Sequence, residues 1–213
     1  MMQKNVIQLW TFPMNSQVKP ITDYENKLSK GLAPIRAKEF IYSRGYVREV
    51  LSNILGIPPL SIPLEAPPGK PPKLKEGLGS ITFSHCIDAL FIGWSDKKLG
   101  IDIERKDRKF NPNSLIERFY FEKEKKELKL IFGDELRINT LKLWVLKEAA
   151  IKWQNGSIAS DLNKWLIRNN CKEAHHEELN ISLNTYYFDY KSWYLGIANN
   201  SDDIEIKPII HNI

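Results

Sequence analysis

The sequence predicts an α+β protein of two similar halves, each a small antiparallel sheet packed with a long helix. Three observations lead there. Residues 35–56 (IRAKEFIYSRGYVREVLSNILG) and 139–156 (NTLKLWVLKEAAIKWQNG) carry apolar residues at helical spacing, one stretch in each half, and each ends at a glycine, a helix stop. Short apolar or alternating runs of strand length stand between and after them. The order of a helix followed by strands recurs, and we place the division between residues 98 and 99, giving halves 1–98 and 99–213.

Taken in order, residues 5–12 (NVIQLWTF) read as a first strand, ahead of the first long helix. Residues 57–74 (IPPLSIPLEAPPGKPPKL) are too rich in proline for a helix and must be extended or turning. SITFSHC (80–86) and ALFIGW (89–94) read as strands; SDKK then makes a turn into LGIDIE (99–104), whose alternation suggests the hairpin partner of the preceding strand. Residues 111–132 open on an N-cap candidate, Asn113, and are helical in part. The second long helix follows, and DYKSWYLGIAN (189–199) reads as a late strand. His175 and His176 lie in a polar stretch that suggests a solvated loop, Cys86 reads as a small buried residue, and Lys123, Lys125, Lys126 and Lys129 as a solvated helix face.

A chain of 213 residues, 42% hydrophobic and 11% aromatic, can bury a proper core and is not a disordered composition. Its two cysteines form neither a disulfide framework nor a zinc spacing, which suggests a reducing compartment. With no apolar signal region at the start and no run of about 18–20 apolar residues, the expected place is the cytosol. A net charge of +5 is compatible with an anionic partner: nucleotide, nucleic acid, acidic protein or membrane surface.

Two constellations carry chemistry. In LGIDIERKDRKF (99–110), strand alternation sets Ile101 and Ile103 on one face and Asp102 and Glu104 on the other. Carboxylates two residues apart stand roughly 6.5 Å apart, within reach of one cation, and hard oxygen ligands suit Mg²⁺. The plain alternative is an exposed strand with solvated acids. Lys98, Arg105, Lys106, Arg108 and Lys109 surround this stretch with positive charge. In LWVLKEAAIKW (143–153), Glu148 and Lys152 share one helical face beside Trp144, Val145 and Ile151. Such a pair is ordinarily a surface salt bridge worth about 0.2–0.5 kcal/mol. In an apolar cleft, the same carboxylate could collect a proton from an incoming hydroxyl.

Together, GIDIE (100–104) and WVLKEAAIK (144–152) resemble the two signature motifs of the 4'-phosphopantetheinyl transferase superfamily. GKPP (69–72) resembles its Gly-Lys-Pro loop, FSHC (83–86) its Ser-His strand, and RFYFEKE (118–124) its segment ending in a third acid. The chain length is similar to that of the surfactin-type, single-chain members with two pseudo-twofold halves, and IPPLSIPLEAPPGKPPKL resembles cyanobacterial members. The resemblance implies Mg²⁺-dependent transfer of phosphopantetheine from coenzyme A to a serine of an apo carrier protein, with 3',5'-ADP released and the active site in the cleft between the halves. It implies Asp102, Glu104 and Glu148 around the metal, with Glu124 a further ligand. Glu148 would be the base, and Lys152 would meet the pyrophosphate. Lys70, Pro71, Ser84 and His85 would border the nucleotide. Family members place basic residues on the first long helix to meet the 3'-phosphate; the candidates here are Arg36, Arg44 and Arg48. Fatty-acid, polyketide and peptide synthetase carriers all remain open, and a two-halved chain needs no second copy, so a monomer is expected. Two rival readings are a Mg²⁺-dependent nuclease and a non-enzymatic nucleic-acid binder. No nucleic-acid motif is present, and the Glu148–Lys152 spacing belongs to a helix, not to a nuclease E-x-K strand.

Overall fold

A computed structural model describes residues 5–201, 204–207 and 210–211. In chain order the elements are β1 (Asn5–Pro13), α1 (Asp23–Ser29), α2 (Pro34–Leu55), β2 (Leu64–Glu65), β3 (Lys73–Leu74), β4 (Ser80–His85), β5 (Ala89–Ser95) and β6 (Leu99–Arg105). Then come α3 (Pro112–Phe119), α4 (Glu122–Leu128), α5 (Gly133–Gln154), α6 (Ile158–Asp161), β7 (Trp165–Arg168), β8 (Glu173–His176), β9 (Ile181–Tyr190), β10 (Trp193–Asn199), β11 (Ile204–Ile206) and β12 (Ile210–His211).

The layers run helix, sheet, sheet, helix. The first sheet has the order β11-β1-β5-β4, with β12 also on β1; the second has the order β6-β10-β9-β8-β7. Helix α2 buries Tyr42, Tyr46, Val47, Val50 and Leu51 against the first sheet. The two sheets meet face to face through Ile7, Leu9, Ala89 and Phe91 on one side and Leu99, Ile101, Ile103, Leu195 and Ile197 on the other. Helix α5 covers the outer face of the second sheet with Leu141, Val145, Leu146, Ala149 and Trp153. Two 22-residue helices thus bracket two packed sheets, the two-halved α+β architecture that the sequence predicts. Strands β11 and β12 run parallel to β1, so the first sheet draws strands from both sides of the 98/99 boundary.

Several elements differ from the sequence reading. Strands β5 and β6 are not a hairpin: β5 pairs with β1 and β4, while β6 pairs antiparallel with β10. Strand β6 packs against the face of β5 instead of lying beside it, with Leu99 and Ile101 close over Gly93. The N-cap of α3 is Asn111, whose side chain accepts from Ser114 N, with Pro112 at the first helical position where its lost N–H costs nothing. Asn155, in the left-handed region at φ 63°, ends α5 one residue before the glycine. Residues 189–199 split between β9 and β10. His176 sits in β8, 1% exposed and edge-on to Trp165, not in a solvated loop.

Glycine decides how closely α5 sits on its sheet. A Cβ at Gly100 would lie 2.0 Å from Ala149 O and 2.5 Å from Trp153 N; one at Gly196 would lie 2.5 Å from Val145 O. Gly196 pairs with Asp102 across the ladder, so both glycines share the face that carries the acids. Backbone cannot yield as a side-chain tip can. Gly100→Ala is therefore expected to cost about 3 kcal/mol or more through overpacking, read as a lowered thermal midpoint. A parental midpoint would mean that the helix is not seated on β6 as described.

Candidate active site

The strand pattern Gly100-Ile101-Asp102-Ile103-Glu104 gains its meaning from having both faces covered. Ile101 and Ile103 enter the core between the sheets, and Asp102 is 2% exposed beneath α5. The solvated-strand alternative does not hold. One carboxylate oxygen from each of Asp102, Glu104 and Glu148 falls within 4.8 Å of the others. Lys152 Nζ donates to Asp102 Oδ1 at 2.6 Å and to Ser84 Oγ at 2.7 Å, and lies 3.8 Å from Glu148. Ser84 Oγ donates to the same Asp102 oxygen at 2.7 Å. Segments 18 to 68 residues apart therefore converge on one carboxylate.

The electrostatics are those of a crowded acid cluster. Burial, then the Asp102 charge, push Glu148 up to about 8, against the pull of Lys152. The same two causes push Glu104 up to about 7, against the pull of Arg108. Burial would lower the Lys152 ammonium, but Asp102 and Glu148 outweigh it and hold its value above the ordinary one. Asp102 Oδ2 is buried with no hydrogen-bond partner. An orphaned carboxylate oxygen next to two carboxylates that resist ionisation fits a site shaped for a cation, and three hard oxygen donors suit Mg²⁺.

A cleft of ≈ 480 Å³ opens beside the cluster, between α2, the loop 67–72, β4 and the end of α5. Lys152, Glu148 and Ser84 form one wall. Arg36, Arg44, Lys70, Pro71 and His85 line the rest. Arg44 is 7% exposed, its guanidinium between the rings of Phe40 (4.2 Å) and Phe83 (4.7 Å), and burial lowers it to about 10, so it stays charged. Burial also lowers His85, with Glu39 3.5 Å away opposing the shift.

Two sequence candidates are not brought to this site. Arg48 does not line the cleft: Nε and Nη2 bind Glu25, and Nη1 donates to Pro59 O and Ile62 O. It shares the buried face of α2 with Arg44, but one turn along, where α1 supplies a carboxylate. Glu124 is not a member of the acid cluster. Its carboxylate accepts from Phe121 N and Ile167 N and pairs at 2.7 Å with Lys147, which is fully buried. Glu124→Gln is expected to leave Mg²⁺ affinity at the parental level while costing about 3–5 kcal/mol of stability, because it strands a buried ammonium. Calorimetric Mg²⁺ titration and thermal unfolding read the two effects; a large loss of affinity in a folded variant would restore Glu124 as a ligand.

The cations around the acid strand are also mostly engaged. Arg105 pairs with Asp88 and Asp107, Lys106 with Asp189, and Arg108 with Glu104. The sequence reading missed this Arg108–Glu104 pair. Its only signal was the four-residue spacing, which is not diagnostic in a segment leaving a strand.

No helix among the described residues is long and apolar enough to cross a membrane. No curated protein matches the chain. The family model of the 4'-phosphopantetheinyl transferase superfamily matches residues 98–207, the segment that contributes all three clustered carboxylates and Lys152. With more than half of the chain inside that match, the protein belongs to the 4'-phosphopantetheinyl transferase superfamily.

Proposed function

We propose that the protein transfers the 4'-phosphopantetheine arm of coenzyme A to a serine of an apo carrier protein, releasing 3',5'-ADP in a Mg²⁺-dependent reaction. The observation that carries this reading is the cluster of Asp102, Glu104 and Glu148, with its orphaned Asp102 oxygen, at the wall of a cleft rich in cations.

Asp102, Glu104 and Glu148 would hold the metal, which when bound supplies Lewis-acid polarisation of the pyrophosphate and a template for it. Arg36, Arg44 and Lys70 bind the phosphates of the nucleotide, with Pro71 at its border. His85, lowered by burial against the pull of Glu39, borders the nucleotide as a hydrogen-bonding partner. Glu148, ionised once a cation's charge offsets the neighbouring carboxylates that raise it, would take the proton of the carrier serine as its oxygen attacks phosphorus. Lys152 stands where charge develops as the pyrophosphate bond breaks, and the partners Asp102 and Ser84 fix its ammonium in place beforehand. The two-halved chain supports a surfactin-type, single-chain enzyme that works as a monomer.

Incubation with coenzyme A, Mg²⁺ and an apo carrier protein tests this. Intact mass should show the carrier gaining one phosphopantetheine arm, with 3',5'-ADP released in equal amount, and chelation of the metal should stop the reaction. Apo carriers of fatty-acid, polyketide and peptide synthetase type that all stay unmodified, while the protein cleaves or binds nucleic acid, would reverse the reading.

A further inference from the structure

The loop that carries Lys70 and Pro71 has an unusual construction. Four of the seven residues from Ala66 to Pro72 are proline (67, 68, 71 and 72), so the segment has little internal freedom. Gly69, in the left-handed region at φ 72°, and one bond from Lys70 N to Pro67 O make its single turn. A stiff strap of this kind is placed by its two ends. The two ends are joined by the two-residue ladder of β2 and β3, Leu64 with Leu74 and Glu65 with Lys73. Just beyond β2, Ala66 is buried, and Arg44 Nε donates to Ala66 O at 2.9 Å.

Arg44 is built to hold that end. Nη1 donates to Ser43 Oγ at 2.9 Å, and the guanidinium carbon stands 4.2 Å from the Phe40 ring centre and 4.7 Å from that of Phe83. No carboxylate among the described residues forms a salt bridge with it. Its edge lines the cleft together with Lys70. A lysine could supply the charge, but not the planar stack or the fixed Nε–H. We propose that Arg44, besides facing the phosphates, is also a positioning residue: it pins the Ala66 end of the proline strap, so that Lys70 and Pro71 stand over the cleft before a ligand arrives. The inference rests on the reading of the cleft as a site for a phosphorylated nucleotide.

The test compares Arg44→Lys with Lys70→Gln by ¹⁵N relaxation of the Gly69 and Lys70 amides in the free protein, and by titration with 3',5'-ADP. In the parent both amides should show rigid-backbone order parameters, about 0.85, and in Arg44→Lys these should fall below about 0.6 while those of β4 and β5 stay unchanged. Lys70→Gln should weaken 3',5'-ADP binding but keep the strap rigid. Arg44→Lys should weaken it at least tenfold, and should raise KM for coenzyme A with kcat at saturation near parental. Unchanged amide order in Arg44→Lys overturns the proposal and leaves Arg44 a simple charge. If Arg44→Lys fails to fold, Phe83→Leu removes one side of the stack and should loosen the same two amides; rigid amides there would equally overturn it. A parent that does not bind 3',5'-ADP defeats the nucleotide reading instead, and the amide data of the free proteins still decide the strap.

Discussion

Glu148→Gln is expected to slow single-turnover transfer to an apo carrier protein by about 10²–10⁴-fold, the usual worth of a general base. That corresponds to roughly 3–5 kcal/mol of barrier. If the pair with Lys152 were an exposed salt bridge, the change would cost at most about 1 kcal/mol of stability and leave the rate alone. The geometry separates these outcomes, since Glu148 is 8% exposed and faces two other carboxylates. Stability should move in the opposite direction from activity. A carboxyl whose folded value lies above its unfolded value costs nothing while it is protonated in both states, and destabilises the fold as pH rises from the unfolded value through the folded one. For Glu148 that window runs from its ordinary 4.5 to about 8. Metal-free parent protein should therefore lose thermal stability across this window, and Glu148→Gln should remove part of the loss. A variant with near-parental rates, or with the same pH dependence of unfolding as the parent, would return this helix to the salt-bridge reading.

Asp102→Asn is the second large effect. The change keeps shape, so Ile101 and Ile103 still pack between the sheets. It removes the charge that faces Lys152 at 2.6 Å, and it turns the orphaned buried oxygen into an amide or leaves it a neutral carbonyl. Metal polarisation is worth several kcal/mol, so transfer should fall by about 10³-fold or more. Mg²⁺ affinity measured by calorimetry should fall with it, which separates a lost ligand from a lost base. Parental Mg²⁺ affinity in a folded Asp102→Asn protein would end the metal assignment. Lys152→Ala should also lower kcat, and less than additively with Glu148→Gln, because both groups serve one transition state.

Much of this was legible in one dimension because it follows from local periodicity. Alternation in residues 99–104 put the isoleucines and the acids on opposite faces, and helical spacing put Glu148 and Lys152 on one strip. Both placements need only the geometry of a strand or a helix, and both hold in the fold. The proline run announced an extended or turning segment for the same reason. Short strands failed where local pattern is weak: β7 is apolar but only four residues long, β8 and the start of β9 are polar or mixed, and their pairing is a property of the sheet. Two helix ends moved by one or two residues, to an N-cap at Asn111 and a left-handed cap at Asn155, while the second long helix starts six residues before the expected 139, at Gly133.

The sequence by itself determined the two long helices, the faces of the acid strand, the stiff strap and the residue types able to hold a cation and a phosphate. Only the tertiary structure decided which of those residues meet. Arg44 and Arg48 are equivalent on a helical wheel, yet α1 brings Glu25 to Arg48 and leaves Arg44 to the cleft. Glu124 and Glu148 are both buried acids, yet Lys147 claims the first. The acid strand became a site because Gly100 and Gly196 let α5 descend onto it, desolvating three carboxylates that a free strand would leave in water. Burial and pairing depend on which distant segments pack together, and no local pattern encodes the neighbour that a side chain will find.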